Sequence, residues 1–452
     1  MRTRSIFIIG LSILVLLGMV GCSPAGKTPD PTATSNSPEV PSPEVPTDAP
    51  TGETQLAESP MEEEETLQLG SSIFIQEEEN LTTAFVLENL DTNLTYYNIE
   101  YTILAYDVGG ATISTDTGPI DFILPGQTVG AVSQILLDEG VAVYKVDVEW
   151  VYSTEENSGY NSPFKISNTR YFDDPGFDVF TGLIANASAV TYTDLRINAI
   201  ALDEDGRLVG GGIGYVSILP GKDQVGVNVY GSVTEAPAAI VFYPTKSIYS
   251  ACYEDGDWRN NLKVMDFGFI QDDIQVGGGF LVKNVTDRII ENSRYVLTIY
   301  EADGTISNVS SGTIDLIWPG ETLGVSPDAI PLLSGASPDK VDVIVLPGDF
   351  VEHELSANPL IANDVTYAID NDLPKVTVKI VNMLDRSITD IYIYVLLFDE
   401  KGEIVGGGAA YPENIEASGS VGVEVGVTYV GNTPPARVEA YPCLTTWSEL
   451  GD

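Results

Sequence analysis

Residues 99–107 of this 452-residue chain read IEYTILAYD. Apolar and polar side chains alternate with a period near two, and isoleucine, tyrosine and threonine dominate, which predicts a β-strand with one buried face. Runs of the same kind recur at 195–202, 295–300 and 391–398, and an acidic residue directly follows each run. The recurrence indicates that one structural unit is repeated four times.

An asparagine precedes each of these strands. Successive asparagines are 97, 98 and 98 residues apart, and the acidic residue follows its asparagine by 18, 17, 17 and 17 residues. The four pairs are Asn89 and Asp107, Asn186 and Asp203, Asn284 and Glu301, and Asn382 and Asp399. We therefore predict one domain of about a hundred residues in four copies, which begin at Leu67, Phe164, Leu262 and Leu360.

Turn residues separate the predicted strands. Glycine follows three of the acidic residues at Gly206, Gly304 and Gly402, and a later Pro-Gly pair occurs in the first three copies. Glycine tolerates positive φ, so these positions are typical of hairpin turns. No stretch has a sustained helical period with caps. Short strands at this spacing predict an all-β fold of four tandem antiparallel β-sandwiches.

The copies also alternate in kind. The sequence GPID at 118–121 in the first copy matches GTID at 312–315 in the third, and LVGGG at 208–212 in the second matches IVGGG at 404–408 in the fourth. This A-B-A-B pattern indicates that a two-domain block was duplicated. We expect A to pack on B through a repeated interface, so that limited proteolysis releases pairs rather than single domains.

The N-terminal segment has the features of an export signal. Arg2 and Arg4 precede an apolar run that ends at Val20, and the run is too short for a convincing membrane span. The sequence MVGC at 19–22 resembles the bacterial lipobox. That resemblance implies that Cys22 becomes the new N-terminus and carries acyl chains such as palmitate, and several chains give stable membrane attachment. An ordinary cleaved signal with an incidental cysteine is the alternative.

Residues 23–66 are rich in proline, serine, threonine and glutamate and poor in large apolar side chains. Such a segment cannot bury enough surface to offset its ordering entropy, so we predict a disordered stalk. At about 3.1 Å per residue in the extended proline form, the stalk could reach on the order of 100 Å. It would hold the folded part away from the membrane.

The repeat resembles a known family. A strand that ends in asparagine, a turn, and an aromatic-rich strand that ends in an acidic residue are similar to the FxLYD-type domain of bacterial lipoproteins. The nearest matches are ILAYD at 103–107 and VLLFD at 395–399. The resemblance covers most of residues 67–452 and implies an immunoglobulin-like fold in the cell envelope. It brings no catalytic residues and no cofactor.

These observations divide the chain into six parts. The parts are the signal peptide 1–22, the stalk 23–66, sandwich A1 at 67–160, sandwich B1 at 161–259, sandwich A2 at 260–355 and sandwich B2 at 356–452.

The charge of the chain limits its partners. Asp and Glu number 66 against 21 Lys and Arg, which gives a formal net charge of -45. Such a surface repels nucleic acid and anionic lipid heads. Solubility is the plain interpretation of this charge, and binding of divalent cations is the alternative.

Few residues have the spacing of a catalytic or metal site. Cys252 and Cys443 could form a disulfide or remain free thiols, because sequence alone cannot place their Cα atoms within range. His353 is the only histidine, and no Gly-x-Ser-x-Gly motif accompanies it. A pair of carboxylates acting as in a glycosidase stays open, although the regularly placed acids are predicted at turns where they cap backbone groups.

Three further patterns have both a structural and a functional interpretation. The acidic turns 203–206 and 254–257 and the pairs 173–174 and 272–273 resemble fragments of calcium sites, but no fragment completes an EF-hand loop. The glycine triplets at 210–212, 277–279 and 406–408 have no following helix or P-loop lysine, so close backbone packing or β-bulges explain them better. Trp150, Trp258, Trp318, Trp447 and the tyrosines Tyr96 and Tyr97 are expected in the core or on a sugar-binding surface.

The sequence favours a non-enzymatic lipoprotein that is anchored outside the cytoplasm through Cys22 and acts as a binding, adhesion or assembly scaffold. If the cell has an outer membrane, Ser23 after the cysteine favours that membrane. The alternative is a surface protein that binds glycan or calcium and captures substrate. A secreted glycan-active hydrolase is the third hypothesis.

Overall fold

The computed structural model describes residues 66–156, 162–246, 250–254, 256–370, 373–429 and 434–449, apart from the side chains of Glu156 and Asp257. The signal peptide, Cys22 and the stalk up to residue 65 lie outside the described residues. Within the described ranges, no helix is both long enough and apolar enough to cross a membrane. The only helical element described there is one short 3₁₀ turn.

The first repeat consists of six strands: β1 (Leu67–Glu77), β2 (Asn80–Asn89), β3 (Leu94–Tyr106), β4 (Thr112–Ile123), β5 (Thr128–Leu136) and β6 (Lys145–Glu156). The second repeat adds β7 (Phe164–Asp174), β8 (Phe177–Asn186), β9 (Val190–Leu202), β10 (Leu208–Leu219), β11 (Gln224–Val233), β12 (Ala239–Thr245) and β13 (Ala251–Glu254), followed by the 3₁₀ turn Asp257–Asn261.

The third repeat contains β14 (Leu262–Gln271), β15 (Gln275–Asn284), β16 (Ile289–Glu301), β17 (Ile306–Ile317), β18 (Thr322–Val325), β19 (Ile330–Pro331), β20 (Pro338–Leu346) and β21 (Asp349–Val351). The fourth contains β22 (Leu360–Asp370), β23 (Leu373–Asn382), β24 (Ile388–Thr389), β25 (Ile391–Phe398), β26 (Ile404–Ala410), β27 (Asn414–Ile415), β28 (Ser420–Gly426) and β29 (Arg437–Leu444).

Every repeat has the same two-sheet topology. Its first, second and fifth main strands form one sheet, which we call the front sheet, and its fourth, third and sixth form the other, which we call the back sheet. In the first repeat these are β1-β2-β5 and β4-β3-β6, and all pairings are antiparallel. In the second repeat β10 also pairs with β11 and joins the two sheets. The predicted all-β fold of tandem antiparallel sandwiches is confirmed.

The alternating pattern explains how each sandwich buries its core. On β3 the side chains of Ile99, Tyr101, Ile103 and Ala105 are at most 1% exposed, whereas Glu100 between them is exposed. Residues that alternate along a strand point to opposite faces, so one face of β3 packs inside the sandwich. A one-residue slip would turn this whole set outward.

A left-handed residue lies in the third main strand of each repeat or directly before it, and the sequence pattern did not reveal it. Asn98, Asp194, Asn292 and Asp390 have φ between 51° and 53°. The pairing of β3 with β6 shifts between Tyr97 and Glu100, on either side of Asn98. Asparagine and aspartate tolerate this conformation better than most other side chains. The left-handed residue follows the repeat asparagine by nine residues in the first copy and by eight in the other three, so an alignment of the four copies was the available signal.

The repeats stack sheet on sheet. The front sheet of each repeat packs on the back sheet of the next: β2 and β5 contact β9 and β10, β11 contacts β16 and β17, and β15 and β18 contact β26 and β25. The expected interface between A and B therefore occurs in both halves. The junction between B1 and A2 is also formed by a front sheet, that of B1, and a back sheet, that of A2. The contact between the two A-B blocks is therefore of the same kind as the contacts within them.

The hydrophobic core continues across junctions between repeats. Buried side chains from Leu262 in the third repeat to Leu444 in the fourth form one continuous cluster. Another cluster joins Ala84, Val86 and Val132 of the first repeat to Ile200 of the second. Residues 65–452 accordingly form one compact unit. The cores merge because the apolar sheet faces at the junctions are as buried as the interiors of the sandwiches.

Candidate binding site

The four repeat asparagines are structural and are not exposed for binding. Each is at most 2% exposed. The Nδ2 group of Asn382 donates to the carbonyl oxygens of Arg386 at 2.8 Å, Ile415 at 3.3 Å and Glu416 at 3.1 Å, and its Oδ1 accepts from the backbone N–H of Leu384 at 2.9 Å. Asn89 and Asn186 make all four corresponding bonds in their own repeats, and Asn284 makes three of them. The asparagine thus ties two turns together across the sandwich.

Three of the four paired acidic residues cap a turn, as predicted. Oδ1 of Asp107, Asp203 and Asp399 accepts backbone N–H groups of the turn that follows it. Glu301 is different. Its Oε1 lies 2.6 Å from the guanidinium of Arg170 in the second repeat. Asp303 caps the turn in its place and accepts from Thr305 N at 2.9 Å.

The glycine triplets allow close packing between repeats, as predicted. A Cβ atom on Gly211 would lie 2.9 Å from Val132 Cγ2 and 3.1 Å from Ala84 Cβ in the first repeat. A Cβ atom on Gly407 would lie 2.8 Å from the carbonyl oxygen of Gly278 in the third repeat. Such distances are shorter than carbon contacts allow, so only glycine fits.

A buried arginine links the first two repeats. Arg196 is 8% exposed, and its guanidinium donates to the carbonyl oxygen of Val132 at 2.6 Å and to the hydroxyl of Tyr101 at 3.0 Å. Arg294 occupies the equivalent place in the third repeat and pairs with Asp194 of the second at 2.6 Å. Both arginines contact the preceding repeat, which makes them interface residues.

The remaining chemical candidates occupy structural positions. His353 Nδ1 accepts from Leu355 N at 3.0 Å, and its ring packs edge to face on Trp318, whose centroid is 5.3 Å away. Cys252 and Cys443 do not form a disulfide with each other. Burial raises the pKa of the Cys443 thiol far above its ordinary value, which suppresses the reactive thiolate.

The acidic pairs do not form a cation site within the described ranges. Asp174 Oδ1 accepts from the backbone and the hydroxyl of Ser334, both at 3.0 Å, and Asp272 Oδ1 accepts from two backbone N–H groups of its own turn. No group of three potential metal ligands comes together among the residues that the structure describes. Asp255 lies outside the described residues.

The tryptophans and tyrosines divide between core and surface. Trp318 and Tyr96 are buried at 3% exposure, and Trp150 and Trp258 pack against core clusters. Trp447 is 60% exposed. A further exposed aromatic pair, which the sequence analysis did not single out, is formed by Phe177 and Tyr230 of the second repeat.

Phe177 and Tyr230 line a cleft between the second and third repeats. Their rings pack edge to face with centroids 5.5 Å apart, and the side chains remain 45% and 46% exposed. The cleft has a volume of about 190 Å³. Its other wall comes from the third repeat and is lined by Asn308, Val309, Ser310, Asp328, Ala329, Ile330, Pro331 and Leu333.

The comparisons with known proteins add little to this geometry. No family model and no curated protein matches the chain. Among solved structures, the chain is similar to one described as the crystal structure of a tetra-tandem repeat in the extending region of a large adhesion protein. The identity is 10%, the match covers 83% of this chain and 96% of that chain, and the TM-score is 0.11. A TM-score this low supports neither a fold nor a function.

Three partly buried carboxylates lie at the A–B junctions and have raised pKa values. Burial raises the pKa of Asp121, Asp315 and Glu321 above the ordinary values of 3.8, 3.8 and 4.5, although hydrogen bonds from the next segments oppose the shift. A raised pKa means that the folded state takes up protons at a pH where the unfolded chain does not. The stability contributed by this protonation is complete below the ordinary pKa and is lost as pH rises through the raised pKa.

We therefore expect the melting temperature, measured by circular dichroism, to rise as pH falls from 7 toward the ordinary pKa values of these groups near 4. Relief of the net negative charge acts in the same direction, so a variant must separate the two effects. Asp315→Asn is expected to reduce this pH dependence. Asp349→Asn, which removes an exposed carboxylate of the same repeat, is the control. Equal pH dependence in Asp315→Asn and the unmodified protein would contradict the prediction.

Proposed function

We propose that this chain is a non-enzymatic scaffold of the cell envelope that displays one rigid stack of four sandwiches on a lipid-anchored stalk. The observation that carries the proposal is the sheet-on-sheet packing at all three junctions. A repeat that packs face to face on the next repeat transmits position, so a binding surface on any repeat stays fixed relative to the others. When several binding surfaces are held on one tether, binding at one surface raises the effective concentration at the others. Several weak contacts then add up to a higher overall affinity.

The side chains on the outward face of β23 support the role of a display scaffold. On β23 the outward positions are Lys375, Thr377 and Lys379, and the last two are exposed. The equivalent positions of β15 include Gly279 and Leu281, which face the fourth repeat. Repeat arrays need polar outer faces at their terminal units to stay soluble. The similarity to FxLYD-type lipoprotein domains agrees with display in the envelope.

The anchor is tested by fractionation of cells that express the full-length protein. The unmodified protein is expected in the membrane fraction, and protease added to intact cells is expected to remove residues 66–452. Cys22→Ala abolishes acylation and is expected to move most of the protein out of the membrane fraction. Cys252→Ala is the matched control and is expected to fractionate like the unmodified protein. A soluble unmodified protein, or a Cys22→Ala variant that stays in the membrane, would refute the anchor.

A second candidate function is the capture of a glycan, and the cleft at Phe177 and Tyr230 favours it. The junctions provide the rigidity and this cleft provides a place for a ligand.

A further inference from the structure

We propose that the cleft between the second and third repeats binds one uncharged sugar ring of a glycan chain. Phe177 and Tyr230 would contact the apolar face of the ring, and polar groups on both walls would bind its hydroxyls. This inference rests on the proposed display function, since it names the ligand class that the displayed surface would hold.

The fold does not require aromatic residues at these two positions. Phe177 lies nine residues before the repeat asparagine, where the other repeats have Asn80, Gln275 and Leu373. Tyr230 occupies the same register position as Gln134 in the first repeat and Gly426 in the fourth. Only the second repeat has aromatic side chains at both positions. Their exposure of 45% and 46% leaves ring surface available, so core packing does not explain them.

Polar groups with unused hydrogen-bonding capacity line the same cleft. The hydroxyls of Tyr230 and Ser310 and the carboxylate of Asp328 make no hydrogen bond or ion pair with another residue that the structure describes. Nearby, the Oδ1 atom of Asn228 is buried without a partner in the described structure, while its amide donates to Asn308 Oδ1 at 2.5 Å. A ligand pocket with an apolar platform and a few converging polar groups is the usual arrangement for small molecules.

Size and charge narrow the ligand class. A volume of about 190 Å³ is below the roughly 300–1,000 Å³ of pockets that enclose drug-sized molecules, so the cleft has room for about one ring. Asp328 accepts hydrogen bonds from hydroxyls but repels carboxylates and sulfates, and the formal net charge of -45 adds to that repulsion. An uncharged pyranose with several hydroxyls and one apolar face fits these conditions.

The test is a titration of the full-length protein with two panels of oligosaccharides, followed by calorimetry and by NMR of the sugar. One panel contains uncharged hexose and N-acetylhexosamine tetrasaccharides, and the other contains uronic acid tetrasaccharides. We expect at least one uncharged sugar to bind with a Kd on the order of 1 mM or below, as is reasonable for a shallow one-ring site. We expect the uronic acid panel to bind at least tenfold more weakly.

Variants assign the binding to the cleft. Tyr230→Ala and Phe177→Ala are each expected to weaken binding at least tenfold, and Asp328→Asn or Ser310→Ala several-fold. Tyr215→Ala is the matched control, because Tyr215 is a 53% exposed tyrosine of the same repeat that does not line the cleft. Melting temperatures of all variants are compared with that of the unmodified protein. The two polar variants keep the test valid if an aromatic variant unfolds.

Three results would overturn the proposal. They are no saturation by any uncharged sugar up to about 20 mM, tighter binding of the uronic acid panel, or equal losses in Tyr215→Ala and Tyr230→Ala. Each leaves the display proposal standing, because fractionation of the Cys22→Ala variant tests that proposal independently.

Discussion

Replacing Asn382 by aspartate is expected to lower the free energy of unfolding by about 3 kcal/mol or more. The Nδ2 group of Asn382 donates to three backbone carbonyls, of Arg386, Ile415 and Glu416. Aspartate places a second oxygen against those carbonyls, so the donor is lost and a buried negative charge replaces it. Urea unfolding at pH 7, followed by circular dichroism, measures the change.

Asn363→Asp is the matched control for this variant. Asn363 is an exposed asparagine of the same repeat, so its substitution adds the same charge without burying it. We expect its effect to stay within about 0.5 kcal/mol. The Asn382→Asp defect is expected to shrink at pH 4, where protonation of the new carboxyl restores one donor. A loss below 1 kcal/mol at pH 7 would show that the asparagine does not hold the two turns together.

Replacing Gly407 by valine is expected to open the junction between the third and fourth repeats and to cost about 3 kcal/mol. The first side-chain carbon would lie 2.8 Å from the carbonyl oxygen of Gly278 and 2.9 Å from that of Val395. Backbone oxygens cannot move away without disturbing two sheets. We expect limited proteolysis to cut near residues 352–359 in this variant faster than in the unmodified protein.

Gly422→Val is the control for the junction variant. Gly422 lies in β28 of the same repeat, and a Cβ atom added to it meets nothing within 4 Å. Its melting curve should resemble that of the unmodified protein, whereas Gly407→Val is expected to unfold in two steps because the merged core is divided. A single transition at an unchanged temperature in Gly407→Val would contradict the role assigned to the glycine triplets.

Local sequence features accounted for much of the architecture. The alternation in IEYTILAYD at 99–107 predicts a strand with one buried face, and Ile99, Tyr101 and Ile103 are buried as that pattern requires. The spacing of the four asparagines predicts the number of copies. These predictions succeed because strand alternation and turn chemistry are properties of a few neighbouring residues.

The candidate binding site was less accessible from the sequence. Phe177 and Tyr230 are 53 residues apart in the chain, and the opposite wall of their cleft belongs to the next repeat. Taken alone, each of the two resembles an ordinary aromatic residue in a β-strand, so neither indicates a binding site. Comparison of the four copies could have found both positions, because the equivalent residues in the other copies are not aromatic.

The sequence by itself determined the all-β class, the four copies, the alternation of A and B, and the turn functions of Asp107, Asp203 and Asp399. Only the tertiary structure decided that the front sheet of every repeat packs on the back sheet of the next and that cores merge across the junctions. The reason is physical. Alternation with a period of two shows that one face of a strand is buried, but it does not show which surface covers that face. Here the covering surface belongs to the next repeat, about a hundred residues away in the chain.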